Sequence, residues 1–216
     1  LDSWEALQMR AGAGAPPPAS FDDYVISYMG EIIAEATEES IWAGTAVAGK
    51  FNGFSGAVTG LLLPGVDGTV VQSAASAAYT AGNIIANLQT LTADMAANVS
   101  AILRKEDLHI YMSPKTYALY VSAVSTLGYV NAYNMNGDYA PVFEGYKIAV
   151  CNGMLDNSVI AAQKSNLYFG TDLLSDATRI TLMDMSALDG SDNMRLVARY
   201  SAGVQTGVGA DIVRQS

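Results

Sequence analysis

Apolar residues in several stretches of this chain recur every third or fourth position. Across 21–42, Phe21, Val25, Met29, Ile32, Ile33 and Ala36 fall on one stripe of a helix, with Asp22, Asp23, Glu31, Glu35, Glu38 and Glu39 largely off it. Ser20 followed by Asp23 is a capping-box-like start, the early acids suit the positive end of the helix dipole, and Gly44 is a plausible stop. At about 1.5 Å per residue such a helix is roughly 33 Å long. A helix of that length with one apolar side is expected to back a sheet. A second helical period runs through 80–103 on Ile84, Leu88, Leu91, Met95, Val99 and Ile102, with a break expected near Thr92. A third helix is expected after Ser113, a natural N-cap, with Pro114 at its first position and Tyr117, Tyr120, Val121 and Val124 facing inward.

Elsewhere the pattern is that of strands and turns. The prolines of 16–18 close a connector, and repeated glycine across 44–68 breaks any period. A brief strand is expected at 69–72, and "DLHIYM" (107–112) reads as a buried strand. "YKIAVC" and "SVIAAQ" flank the turn "NGMLDN" and predict a hairpin, while "NLYFGT", "RITLMD", "MRLVARY" and "ADIVRQ" are further strands. The order of helix, mixed segment, helix and then strands predicts an α+β protein rather than regular βαβ winding. The stretch "KSNLYFGTD" (164–172) looks like a damaged protease tag site, but it lies deep in the chain between apolar segments and is read as native and structural.

Composition narrows the function. The chain has 216 residues, 50% apolar and only 15% charged, which is globular and not disordered. So little charge fits either a surface partly hidden against other chains or an Ala-rich monomer. A formal net charge of −10 is no electrostatic footprint for a phosphate backbone, so sequence-specific nucleic-acid readout is not expected. No apolar run has the length of a membrane span. One cysteine, Cys151, excludes an internal disulfide and suits a reducing compartment.

Catalytic constellations are sparse. His109, the one histidine, sits inside an apolar strand, where a hydrogen-bonded core role is the more common one. One His and one Cys do not make a zinc site. "GFSG" around Ser55 lacks the spacing of a nucleophile elbow, and the glycine-rich segment carries no phosphate-binding fingerprint. Glu38-Glu39 and Asp22-Asp23 are adjacent on a helix and point in different directions, so neither pair shares a proton. No cofactor or metal is expected, and a serine or cysteine hydrolase using Ser55 or Cys151 is the weakest functional alternative. The loop 129–141 carries Tyr129, Tyr133, Asn134, Asn136 and Tyr139, and reads equally as a contact loop or as solvated surface.

Taken in order, these segments resemble the major capsid proteins of tailed bacteriophages, the Hong Kong 97-like fold. The resemblance is carried by "EESIWAGTAVAGKFNGFSGAVTG" (38–60) at the end of a long spine helix, "LHIYMSPKTYALY" (108–120), "FEGYKIAVCNGML" (143–155), "NLYFGTDLLSD" (166–176) and "NMRLVARYSAGVQTGVGADIV" (193–213). It covers 21 to the end; each motif is short, and their order and spacing carry it.

The resemblance implies a peripheral-type domain from 1–52 and 164–205, holding the spine helix 21–42 packed on strands through Phe21, Val25, Met29, Ile32 and Ile33. It implies an axial-type domain from 53–163 and 206–216, whose tyrosine loop meets its copies at the capsomer centre. The 164–172 stretch would then mark the passage from axial to peripheral domain. The N-terminal arm and most of the extended loop that the family carries before the spine helix are expected to be absent. The implied function is that of a structural protein, a subunit self-assembling through pentameric and hexameric capsomers into the icosahedral head shell of a tailed phage or prophage. It would be built in the host cytoplasm and located in the virion, with scaffold and portal proteins as further partners. An encapsulin-type shell around protein cargo is the alternative on the same fold.

Overall fold

The computed structural model describes residues 21–47, 50–74, 78–127, 141–172, 180–185, 190, 194–198 and 201–216. Three α-helices lie among them, α1 (Phe21–Ala43), α2 (Ile84–Asn98) and α3 (Pro114–Thr126). The strands are β1 (Val71–Ser73), β2 (Leu108–Met112), β3 (Val142–Phe143), β4 (Tyr146–Val150), β5 (Val159–Gln163), β6 (Leu167–Thr171), β7 (Ile180–Asp184), β8 (Met194–Ala198), β9 (Ala202–Thr206) and β10 (Val213–Gln215). The chain divides into two compact units. One comprises Leu1–Thr37 with Thr171–Ser201, the other Glu38–Gly170 with Ala202–Ser216. The division falls inside 164–172, between Gly170 and Thr171.

The larger unit is built on a six-stranded sheet of order β1-β10-β5-β2-β4-β3. Alternation of side chains across this sheet makes two cores. Leu108, Ile110 and Met112 of β2, Val159 and Ala161 of β5, Ile148 of β4 and Val213 of β10 face one side. There they meet Ile84, Leu88, Leu91 and Met95 of α2 and Ala123 of α3. Tyr111, Ile160, Ala162 and Ile212 face the other side, where Trp42, Phe54 and Leu62 cover them. The register keeps the faces aligned, with Ile110 opposite Ala161 and Ile148, and Tyr111 opposite Ile160 and Ala149. β2 is therefore covered on both faces and paired on both edges, which explains its nearly continuous apolar sequence.

The hairpin expected from "YKIAVC" and "SVIAAQ" does not form. β2 lies between the two strands, parallel to β4 and antiparallel to β5. The connection 151–158 instead passes the end of β2 and clasps the start of α3. Asp156 accepts from the Ser113 hydroxyl at 3.0 Å and from Lys115 at 2.9 Å. Ser113 in turn accepts the Thr116 N–H at 3.2 Å as the N-cap expected of it. The hydrogen bond from Lys115, with that from Ser113, holds the Asp156 carboxyl below its ordinary pKa.

The break expected near Thr92 is likewise absent, and α2 runs unbroken from Ile84 to Asn98. The Thr92 hydroxyl reaches back to the Gln89 carbonyl at 2.9 Å and across to Glu144 at 2.8 Å, so it caps nothing. The 164–172 stretch has a structural task. The Lys164 N–H bonds the Asp107 carbonyl at 3.0 Å, the Ser165 hydroxyl bonds the Asp107 carboxylate, and the Asn166 amide bonds Val208 N and O at 2.7 and 2.8 Å. β6 then pairs with β9, a strand the sequence reading did not anticipate. In the smaller unit, β7 and β8 form an antiparallel pair, with Leu182 opposite Leu196.

Burying one aliphatic side chain contributes about 1.5–3 kcal/mol, and truncating it adds a cavity term. Ile110 is fully buried at the centre of the sheet. Ile110→Ala is expected to destabilise the larger unit by about 2–5 kcal/mol, read as a fall in the midpoint of chemical denaturation.

Candidate assembly surface

The last turn of α1 is where the sequence's most unusual segment meets the sheet. A helix leaves its final carbonyls without intrahelical partners, and burying them unpaired costs about 1–3 kcal/mol each. Here the chain turns at Gly44 and comes back along the helix end. Phe54 donates its N–H to the Ile41 carbonyl at 2.9 Å, and Ser55 donates its N–H to the Trp42 carbonyl at 2.7 Å. The Ser55 hydroxyl adds a second bond to the same Trp42 oxygen at 2.9 Å. The indole of Trp42 then packs between Phe54 and Tyr111, with ring centroids 5.6 and 5.3 Å away. Backbones approach so closely that a Cβ on Gly53 would stand 2.6 Å from the Trp42 carbonyl oxygen. Glycine is a steric requirement there.

Polar contacts finish the anchor. Glu38 accepts the Asn152 N–H at 3.0 Å, and Lys50 pairs with Glu39 at 3.2 Å on the surface. A Cβ on Gly153 would collide with the Glu38 carbonyl, so the 151–158 connection also lies flat against this end of α1. Glu38 and Glu39 thus make specific contacts within the chain.

The residues that looked catalytic are taken up by this packing. Ser55 is fully buried and its hydroxyl is committed to Trp42. His109 is half-buried, with Nδ1 2.8 Å from the Asp107 carbonyl and its ring 6.1 Å from that of Tyr111. Burial, with the Glu38 charge as a lesser cause, pushes the Cys151 thiol up to about 12. A thiol with so little thiolate is a poor nucleophile. Among the described residues no group of His, Cys, Asp and Glu could hold a metal ion, and no helix is long and apolar enough to cross a membrane.

The expected contact residues divide as follows. Tyr129, Tyr133, Asn134, Asn136 and Tyr139 lie outside the described residues. Phe21 opens α1, but its side chain also lies outside them. Val25, Met29 and Ile33 are half-buried, whereas Ile32 is 41% exposed and shares a face with Tyr28, 54% exposed. The helical period identified a stripe but could not say how much of it a single copy covers. Elsewhere Tyr168, Phe169 and Val208 present exposed apolar surface at β6 and the turn after β9. Sequence alternation could flag Tyr168 and Phe169 as strand residues, yet not that neither is buried.

No protein-family model matches the chain, and no curated protein matches it by sequence. Solved structures do share its fold. One, described as Mycobacterium phage Che8, aligns at a TM-score of 0.57 and 10% identity over 91% of this chain and 63% of the other. Another, the capsid of an empty GTA particle computed with C5 symmetry, aligns at a TM-score of 0.57 and 16% identity over 90% of this chain and 65% of the other. The chain thus spans a little under two thirds of the length of both.

Two outcomes test the anchor and the thiol. Ser55→Ala is expected to cost about 0.5–1.5 kcal/mol in chemical denaturation, the worth of one hydrogen bond, because the backbone N–H still serves the Trp42 carbonyl. For Cys151 the folded state binds the proton more tightly than the unfolded chain. Its contribution is therefore complete below the unfolded thiol pKa of about 8.5 and is lost as pH rises toward 12. Comparing the denaturation midpoints of wild type and Cys151→Ala across that window should show the wild type losing more stability with rising pH. The α+β arrangement of this chain is the fold it shares with these two structures, one of them the capsid of a GTA particle.

Proposed function

We propose that this chain is the major capsid subunit of a tailed phage or prophage, a structural protein that assembles with its own copies into an icosahedral shell around a genome. The observation that carries this reading is the fold shared over 90% of the chain with the capsid of a GTA particle. The absorbed state of Ser55, His109 and Cys151 supports it, since the residues that could have argued for hydrolysis serve packing instead. So does exposed apolar surface at Tyr28, Ile32, Tyr168 and Phe169 on a chain with only 15% charged residues.

In this reading the larger unit is the axial-type domain and the smaller unit the peripheral-type one. α1 is the spine, and the tyrosine loop 129–141 contributes contacts near the capsomer axis. The mechanism of a shell subunit is geometric: the same heterologous contacts are repeated until the symmetry closes. Scaffold and portal proteins are the further partners, and the virion is the place of action. No observation favours an encapsulin-type shell over this reading.

The full-length protein, co-expressed with its scaffold where one is needed, should form uniform hollow particles under electron microscopy. Persistent monomers under those conditions would overturn the proposal.

A further inference from the structure

An open cleft of about 390 Å³ lies at one end of the six-stranded sheet, lined by Leu103, Arg104, Lys105, Glu106, Leu108, Gly145, Tyr146 and Lys147. Its walls are the turn leading into β2 and the starts of β2 and β4, which run parallel with His109 opposite Lys147. Arg104, Lys105 and Lys147 are exposed, and among the described residues none of them forms an ion pair. Three cations thus converge on one cleft, opposed there only by Glu106, in a chain with 11 Lys and Arg against 21 Asp and Glu. Like charges held together without counter-ions are unfavourable. The arrangement suits an acidic partner that also offers apolar surface to Tyr146 and the leucines.

Several of the described carboxylates are already engaged. Glu38 holds Asn152, Glu39 holds Lys50, Asp67 holds Thr69, Asp107 holds Ser165, Glu144 holds Thr92, and Asp156 holds Ser113 and Lys115. Among the described residues Glu31 and Glu35, like Asp94, Asp172 and Asp211, have no such partner, and they stand out by their place together on one helix face. They lie one turn apart on α1, both exposed, and share their face with the exposed Tyr28 and Ile32. That face therefore combines two carboxylates with an aromatic and an aliphatic side chain, complementary in charge and polarity to the cleft.

We propose that the Tyr28–Glu31–Ile32–Glu35 face of α1 in one copy docks into the Arg104–Lys105–Lys147 cleft of another, an inference that rests on the shell-subunit reading and names one of its contacts. A head-to-tail contact of this kind is heterologous and can repeat around a ring. Its charges lie at the surface, so salt weakens it, and the charge pattern also sets which copies can meet.

The test uses full-length protein under conditions where the wild type forms particles. Lys105→Glu with Lys147→Glu, and separately Glu31→Lys with Glu35→Lys, are each expected to lower particle yield by at least about tenfold, since like charges are then forced together. The four changes combined, which restore opposite signs, should recover assembly. A direct readout accompanies this: carbodiimide crosslinking of wild-type particles assembled from isotopically light and heavy copies. Crosslinks joining Glu31 or Glu35 of one label to Lys105 or Lys147 of the other support the contact, and this readout stands even if a reversed variant misfolds. Particles that form equally well with either reversal, losses that the combined variant does not rescue, or crosslinks confined to single copies overturn the contact while leaving the shell reading intact. A wild type that never associates overturns both.

Discussion

The end of α1 must be both buried and hydrogen-bonded, and much of the larger unit follows from that constraint. Trp42 is buried and Ile41 partly so, and their carbonyls at the helix end take donors from another part of the chain. Phe54 and Ser55 supply them, which obliges the intervening segment to fold back on itself. Folding back at such close range leaves no room for side chains at Gly44 and Gly53. The same return places Phe54 and Leu62 over Tyr111 and Ile160, giving the sheet its second covered face. Helix end, glycine-rich loop and sheet core are one interlocked arrangement.

That arrangement also explains where the chemistry went. A buried serine beside a glycine-rich turn and a histidine on a strand are ingredients of catalysis only when their polar atoms are free to face a substrate. Here the Ser55 hydroxyl is the second donor to the Trp42 carbonyl at the helix end, and the imidazole bonds to the Asp107 carbonyl just before its own strand. Desolvation keeps the one thiol protonated. Among the described residues the surface keeps apolar exposure at Tyr28, Ile32, Tyr168 and Phe169.

Local signals in the sequence gave reliable local answers. The cap at Ser113, the proline after it, the helical periods of α1 and α2, and the buried character of β2 were all legible because they depend on residues within a turn or two of one another. The proposed contact surfaces were only partly legible. A stripe containing Val25, Met29, Ile32 and Ile33 is visible as a period, but Ile32 and Tyr28 remain exposed in a single copy. That Arg104, Lys105 and Lys147 form no ion pair among the described residues depends on where the described carboxylates fold, which spacing along the chain does not give.

The sequence by itself determined the α+β class, the long first helix, and the absence of any recognisable catalytic spacing, since periodicity and spacing are properties of neighbours along the chain. Only the tertiary structure decided which strands are partners. β4 and β5 look like a hairpin because they are consecutive and joined by turn residues, yet β2 lies between them. A strand apolar on both faces is satisfied at the centre, where β2 is covered on both sides and paired with β4 and β5, and Asp156 holds the 151–158 connection by binding the start of α3. Strand β9 went unread for the same reason: "AGVQT" has little β pattern of its own and becomes a strand through β6, while Asn166 ties the following turn at Val208. Such pairings join residues far apart in sequence, and their free energy exists only once both partners are in place.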